Sequence, residues 1–360
     1  MSEAADALPF IAALMIAVSS TSCRSGDATT VPWIQQRTNT ENSGPPPFLS
    51  ATNRQIGDDQ PQTSRVSIGH NARMNRSPWT WKVVQAGSLR LDGGGMFGII
   101  PKEMWSRWTP PDAENRIRLQ TNCLLLEQDG RKVLVETGCG DKWTEKEREI
   151  YHLERRTVVD ALREIEVDPE EIDMVILTHL HFDHAAGLTT WDGRPPREMI
   201  ADGTPPRPVF ENAEIVVQRR EWEDANANRS TMTRTYLRTH LDPIADRIRL
   251  VDGSTEVIPG IGVEPIIGHT PGQQGVLIED AGRTTAFLGD LLPTIHHAHP
   301  SAATAYDLDP YDTLLTKADV LTRAHAEDWT IVLDHEPDDP VVKVNQDERG
   351  RKTLFPRNPA

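Results

Sequence analysis

The sequence predicts an α/β fold in which two β-sheets carry helices on their outer sides. Three observations lead there. Short apolar runs rich in Val, Ile and Leu recur from residue 79 onward, each with the length of a buried strand. Segments with helical periodicity separate them, so that strands, then a helix, are followed by strands and a helix again, without a strict internal repeat. Turn residues such as Asp129-Gly130 and Asp280-Ala281-Gly282 punctuate the pattern.

In order along the chain, residues 81–91 read as a pair of short strands. Residues 118–127 and 132–136 flank Asp129-Gly130, a strong two-residue hairpin signal. Residues 144–166 place Ile150, Leu153, Val158 and Leu162 at helical spacing and predict one helix. Asp168-Pro169 with Glu171 starts a short helical turn. Met174 to Leu177 form a buried strand, and further strands are expected at 214–217, 262–267, 276–279, 284–288 and 330–333. Residues 311–326 again have a helical period.

The 360 residues carry a net charge of −16 and no lysine- or arginine-rich run, which argues against a nucleic-acid partner. Cys23, Cys123 and Cys139 are scattered, so neither a disulfide framework nor a thiolate zinc site is expected, and Cys123 reads as a small core residue. The apolar segment 8–18, followed by Cys23, has the length of a signal-peptide core. Glu3 and Asp6 stand where positive charge is needed, so a cytoplasmic chain is expected, with export or lipoprotein anchoring as the alternative. The segment is too short to span a bilayer. Residues 25–73 are polar and proline-containing and are expected to be disordered, or to precede a true start at Met74. The organisation expected is an extension over 1–73, one domain over 74–345 and a tail over 346–360. No pattern bears on oligomeric state.

Chemistry concentrates in Thr178-His-Leu-His-Phe-Asp-His184, which packs His179, His181, Asp183 and His184 onto the loop leaving the 174–177 strand. Alternation along an extended backbone sends His179, His181 and Asp183 to one side, and a break at Asp183-His184 turns the last imidazole elsewhere. Ions such as zinc take histidine nitrogen and carboxylate oxygen, and four such groups this close can serve two adjacent ions. The plain alternative is a histidine-rich surface loop. Three more candidates each follow an apolar strand-like run: His269, Asp290 and His335. Singly, each is an ordinary strand-end turn residue. Strand ends from distant parts of a chain can converge on one sheet edge, and together the four placements indicate a metal site.

The set His179-x-His181-x-Asp183-His184, His269, Asp290 and His335 resembles the metallo-β-lactamase fold superfamily over residues 79–340. The resemblance implies a four-layer αββα sandwich and two divalent metal ions, zinc first among them. It puts His179, His181 and His269 on one ion, Asp183, His184 and His335 on the other, and Asp290 between both. Glu136 stands where the family usually has an aspartate behind the ligands. Within the superfamily the chain looks nearest to the quorum-quenching (acyl-homoserine) lactonase-like group, through Gly95-Met-Phe-Gly98, Arg220-Glu-Trp-Glu-Asp-Ala225, Gly289-Asp-Leu-Leu-Pro-Thr294 and Ala305-Tyr-Asp-Leu-Asp-Pro310. Two positions depart from that group. Gln273 replaces a histidine that is not a ligand, and Leu291-Leu-Pro-Thr294 lacks the tyrosine that follows the bridging aspartate in acyl-homoserine lactonases.

The activity implied is opening of a small-molecule lactone or ester by a metal-bridging hydroxide, with Asp183 relaying a proton to the leaving alkoxide. Tyr306 is the candidate donor to the carbonyl or oxyanion, against the reading of an ordinary half-buried tyrosine. His296, His297 and His299 rim the substrate entrance, form a solvated loop or bind adventitious metal. Met96 and Phe97 form a mobile apolar flap or pack in the core. The alternatives are an aryl-ester or phosphotriester hydrolase, a glyoxalase II-like thioesterase and, in a different class, a non-catalytic metal-binding module. The last typically loses ligands, whereas all seven stand here.

Overall fold

A computed structural model describes residues 77–230 and 235–357. The apolar segment 8–18, Cys23 and Met74 lie outside the described residues. Among the described residues no helix is long and apolar enough to cross a membrane.

Strands β1 (Thr80–Asp92), β2 (Arg116–Gln128), β3 (Arg131–Val135) and β4 (Met174–Ile176) begin the first sheet. A separate ribbon, β5 (Thr189–Thr190) with β6 (Arg207–Pro208), follows, and β7 (Glu214–Gln218) and β8 (Ile248–Val251) complete the sheet. Its order is β1-β2-β3-β4-β7-β8, antiparallel as far as β3 and parallel from there on. The second sheet holds β9 (Thr255–Ile258), β10 (Ile261–Pro265), β11 (Gln274–Asp280), β12 (Arg283–Phe287), β13 (Thr330–Val332), β14 (Val341–Gln346) and β15 (Lys352–Pro356). Only β12 and β13 pair in parallel there.

Side-chain alternation builds the layers. Leu124 and Leu126 of β2 point into an inter-sheet core with Ile176, Val263, Val276, Phe287 and Val332. Cys123 and Leu125 point the other way, against Val158, Ala161 and Leu162 of the helix Val158–Arg163. On the far face of the second sheet, Leu277, Ala286 and Ile331 pack on Val320, Leu321 and Ala324 of the helix Pro310–Ala326. This is the αββα sandwich expected. Strands buried on both faces read as unbroken apolar runs, which is why they were legible in the sequence. Cys123 is the core residue expected.

Four expectations need correction. Residues 81–91 form one strand, not two, because a register shift between Gln85 and Ser88 absorbs the irregularity without ending the pairing. The single helix over 144–166 is two, Glu145–Tyr151 and Val158–Arg163. His152 turns left-handed at φ 47°, and Thr157 starts the second helix through a capping box with Asp160. Apolar spacing continues across that break, so period alone cannot see it. The residues read as a tail supply β15, which pairs with β14 and buries Leu354 beside Val342 and Val344. The hairpin at Asp129-Gly130 does form, with both residues at positive φ, as a two-residue turn between strands requires.

Met96 and Phe97 are the fourth. They are not a flap: both are buried beside Leu89, Trp105 and Ile117, with Phe97 stacked on Trp105 at 5.7 Å. A helix of five residues holds them there, capped by Asp92 accepting from the Gly95 amide.

Candidate metal centre

The direction of the strands explains why distant residues meet. β3 and β4 run parallel, and β10, β12 and β13 share one direction in the second sheet. Glu136 follows β3, the 179–184 loop follows β4, His269 follows β10, Asp290 follows β12 and His335 follows β13. All leave at the carboxyl end of their strand, so all arrive at one rim of the sandwich. Backbone hydrogen bonds tie the sheets together there, Gln274 N to Thr178 O at 2.9 Å and Asn122 N to Asp334 O at 2.7 Å.

Two groups of side chains have the spacing to hold a metal ion: His179, His181, His269 and Asp290, and His184, Asp290, Asp334 and His335, with candidate ligand atoms within 4.8 Å of one another in each. Asp290 belongs to both and divides its oxygens between them. Oδ2 lies 3.0 Å from His269 Nε2 and 3.9 Å from His179 Nε2. Oδ1 lies 3.1 Å from His335 Nε2 and 3.5 Å from His184 Nε2. Ligands about 2.0–2.2 Å from a tetrahedral ion are roughly 3.3–3.6 Å apart, so these separations suit an ion in each group.

The donor atoms fit that test in a second way. His179 Nε2, His184 Nε2, His335 Nε2, Asp290 Oδ1 and Asp334 Oδ2 are all buried without a hydrogen-bond partner. Buried polar atoms are normally paired, and these five all belong to the two groups with the spacing to hold a cation. The far sides of the rings are held instead. His179 Nδ1 meets Thr178 Oγ1 at 3.0 Å, His269 Nδ1 donates to Asp307 at 2.8 Å, and His335 Nδ1 donates to Gln120 O at 2.9 Å. His184 Nδ1 lies 3.2 Å from Glu136, so the longer carboxylate still reaches behind the ligand. His181 presents Nδ1, 3.0 Å from His269 Nε2.

Electrostatics separates His179 and His181 from the other three imidazoles, among them His269, whose charge Asp290 and Asp307 favour against its burial. Burial, then the neighbouring imidazoles, hold His179 and His181 well below the usual histidine range, which keeps them neutral and ready to ligate. Burial also opposes charge on His335, but Asp334 and Asp290 outweigh it and raise that imidazole to about 10. His184 is raised likewise against its burial, by Asp183 and Glu136. Carboxylates thus crowd the second group, where positive charge is most strongly stabilised.

The structure brings all seven expected metal residues to this rim. Asp183 stands at its edge, 3.7 Å from His184 Nε2 and 3.6 Å from His335 Nε2. Sequence reasoning missed Asp334, whose only signal was adjacency to His335, and Asp307, one residue beyond Tyr306. Tyr306 packs at the edge of the cluster around Phe97, close enough to Gly95 that a methyl there would lie 2.4 Å from its hydroxyl. Burial raises its phenol well above the usual range, and Asp92 and Asp183 push the same way, so the hydroxyl keeps its proton. Gln273 is buried and donates to Leu288 O, away from the ligands.

His297 is neither rim nor solvated loop. It is buried and stacked on Phe97 at 5.0 Å. It donates from Nε2 to Met96 O and accepts from Thr294 at Nδ1. Burial lowers it to about 4, so it staples the 93–97 helix as a neutral ring. His296 and His299 lie against Trp108 instead, at 5.7 and 5.6 Å.

The family described as the metallo-beta-lactamase superfamily matches residues 116–335. An N-acyl homoserine lactonase of Bacillus sp is 30% identical over 168 residues, covering 44% of this chain and 57% of that protein. The chain spans 57–60% of the length of the first curated relatives it matches. A probable metal-dependent hydrolase from Staphylococcus aureus aligns with TM-score 0.70 at 27% identity, over 80% of this chain and all of that one. AidC, described as a dizinc quorum-quenching lactonase, aligns with TM-score 0.63 at 16% identity, over 80% of this chain and 97% of that one, a likeness of fold alone. The family match runs over more than half of the chain and takes in every residue of the rim, and the chain belongs to the metallo-β-lactamase superfamily.

Proposed function

We propose that this protein is a hydrolase that opens a small-molecule lactone or ester with two divalent ions, zinc first among them. The observation that carries this is Asp290, whose two oxygens face two separate groups of buried, inward-pointing donors. His179, His181 and His269 would hold one ion. His184, His335 and Asp183 would hold the other, with Asp334 beside them. Bound there, the ions lower the pKa of a coordinated water toward about 7 and polarise the substrate carbonyl.

The rest falls to the protein. Asp183 is the carboxylate at the edge of the centre, and its place is to take up a proton and pass it to the leaving alkoxide. Tyr306 retains its proton at neutral pH and donates to the carbonyl oxygen as charge develops there. The walls beside it, Phe97, Trp105 and Ile117, exclude water from that side.

Elemental analysis of the purified chain, paired with lactone, aryl-ester and phosphotriester substrates, tests the proposal. Two equivalents of metal with lactone turnover are expected, and Asp183→Ala should abolish it. Two equivalents with turnover of the phosphotriester alone would keep the centre and move the substrate class. Less than one equivalent, with no turnover after metal is restored, would refute it.

A further inference from the structure

A carboxylate outside the candidate ligands joins the two loops that carry the first group. Glu221 lies in the helix Arg219–Asn226 and is fully buried. Its Oε1 accepts from the amide of Leu180, the residue between His179 and His181, at 2.9 Å. Its Oε2 accepts from the hydroxyl of Thr270, the residue after His269, at 2.6 Å. Oε1 also accepts from Tyr236 at 3.0 Å, and the ring of Tyr236 packs on that of His181 with centroids 5.1 Å apart. The fit around this helix is tight, since a methyl on Gly272 would lie 2.2 Å from the Glu221 amide. His184, Asp334 and His335 donate no hydrogen bond to Glu221.

We infer that Glu221 is the positioning residue of the first metal group: one buried carboxylate fixes the spacing of His179 and His181 against His269. This rests on the two-ion proposal and goes beyond it by making the ions unequal in their dependence on a residue that touches neither. Three donors converge on its two oxygens, Leu180 and Tyr236 on Oε1 and Thr270 on Oε2. A glutamine can keep all three partners, its oxygen accepting from Leu180 and Tyr236 and its nitrogen donating to the Thr270 hydroxyl, which turns to accept. An alanine takes the acceptor away from all three buried donors. Groups behind metal ligands typically matter about 10- to 100-fold in affinity.

The test is stepwise cobalt(II) titration of the metal-free full-length chain, followed by its visible absorption, with competition by a chelator. His269→Ala and His335→Ala assign the absorption of each site. Glu221→Ala should weaken the ion whose bands His269→Ala removes by about 10- to 100-fold, Glu221→Gln, which can keep the contacts, should weaken it much less, and both should leave the other within about twofold. Unfolding of each metal-free variant controls for stability. Weakening of both ions in proportion to a loss of stability would make Glu221 a merely structural residue and overturn the inference. So would unchanged affinities. No cobalt uptake by the unaltered chain would overturn the two-ion proposal and this inference with it, whereas uptake that Glu221→Ala leaves unchanged overturns the inference alone.

Discussion

Lys142 gives a quantitative test of how the loop behind the ligands is held. Its side chain is buried, and Nζ donates to Ala186 O at 2.6 Å and Thr189 O at 2.5 Å. Those carbonyls belong to the segment that follows His184. Burial lowers the ammonium from 10.5 to about 7, and Asp141 offsets only part of that. The unfolded chain therefore keeps this proton up to about pH 10.5, while the folded chain gives it up near 7. Between those values unfolding takes up a proton, so stability rises with pH. Below pH 7 both states are protonated and the full cost stands, about 5 kcal/mol for this group. At pH 9 about 2 kcal/mol of that cost remains, so the group alone makes the protein about 3 kcal/mol more stable at pH 9 than at pH 6. Urea unfolding of the unaltered chain and of Lys142→Met at both pH values isolates it. The methionine variant should lack this gain, and at pH 9 it should be the less stable of the two, because the carbonyls of Ala186 and Thr189 lose their donor at about 1–3 kcal/mol each. Equal pH dependence in the two proteins would refute the account of Lys142.

Two more predictions concern the rim. Tyr306→Phe should lower kcat about 10- to 100-fold with little change in KM, as expected of a donor used mainly in the transition state; Gly95→Ala, whose methyl would meet the Tyr306 hydroxyl at 2.4 Å, should lower it similarly without touching the phenol, and an unchanged kcat in both would return Tyr306 to plain packing. At Gly187 an added methyl would lie 2.0 Å from Thr137 O, where Thr137 N and Oγ1 both donate to His184 O. Gly187→Ala should therefore cost about 1–3 kcal/mol or more and weaken metal uptake, and a melting temperature and metal content matching the unaltered chain would show that the segment yields freely.

Much of the fold was legible because its strands are buried on both faces. Continuous runs such as Leu124 to Leu126 and Met174 to Leu177 need no partner to be recognised. What escaped was decided by pairing or by caps. β8 and β15 are short and only partly buried, and their residues carry little pattern until a neighbouring strand supplies the other half of the ladder. The break at His152 was encoded by Thr157 and Asp160, a local capping signal outvoted by the apolar period.

The same division runs through the candidate centre. The sequence alone determined which residue types could ligate and that each follows a strand, because local order fixes that His179 to His184 leave β4 and that His269, Asp290 and His335 leave other strands. Strand direction, a property of the sheets, decided that those ends share one rim. Only the tertiary structure divided the oxygens of Asp290 between two groups, placed Asp334 among them, moved His297 into the core and put Glu221 behind His181 and His269. Those roles depend on contacts spanning tens to hundreds of residues, such as Glu221 with Leu180 at a separation of 41 and His335 with Gln120 at 215. No local pattern encodes such contacts; the packing of the two sheets makes them.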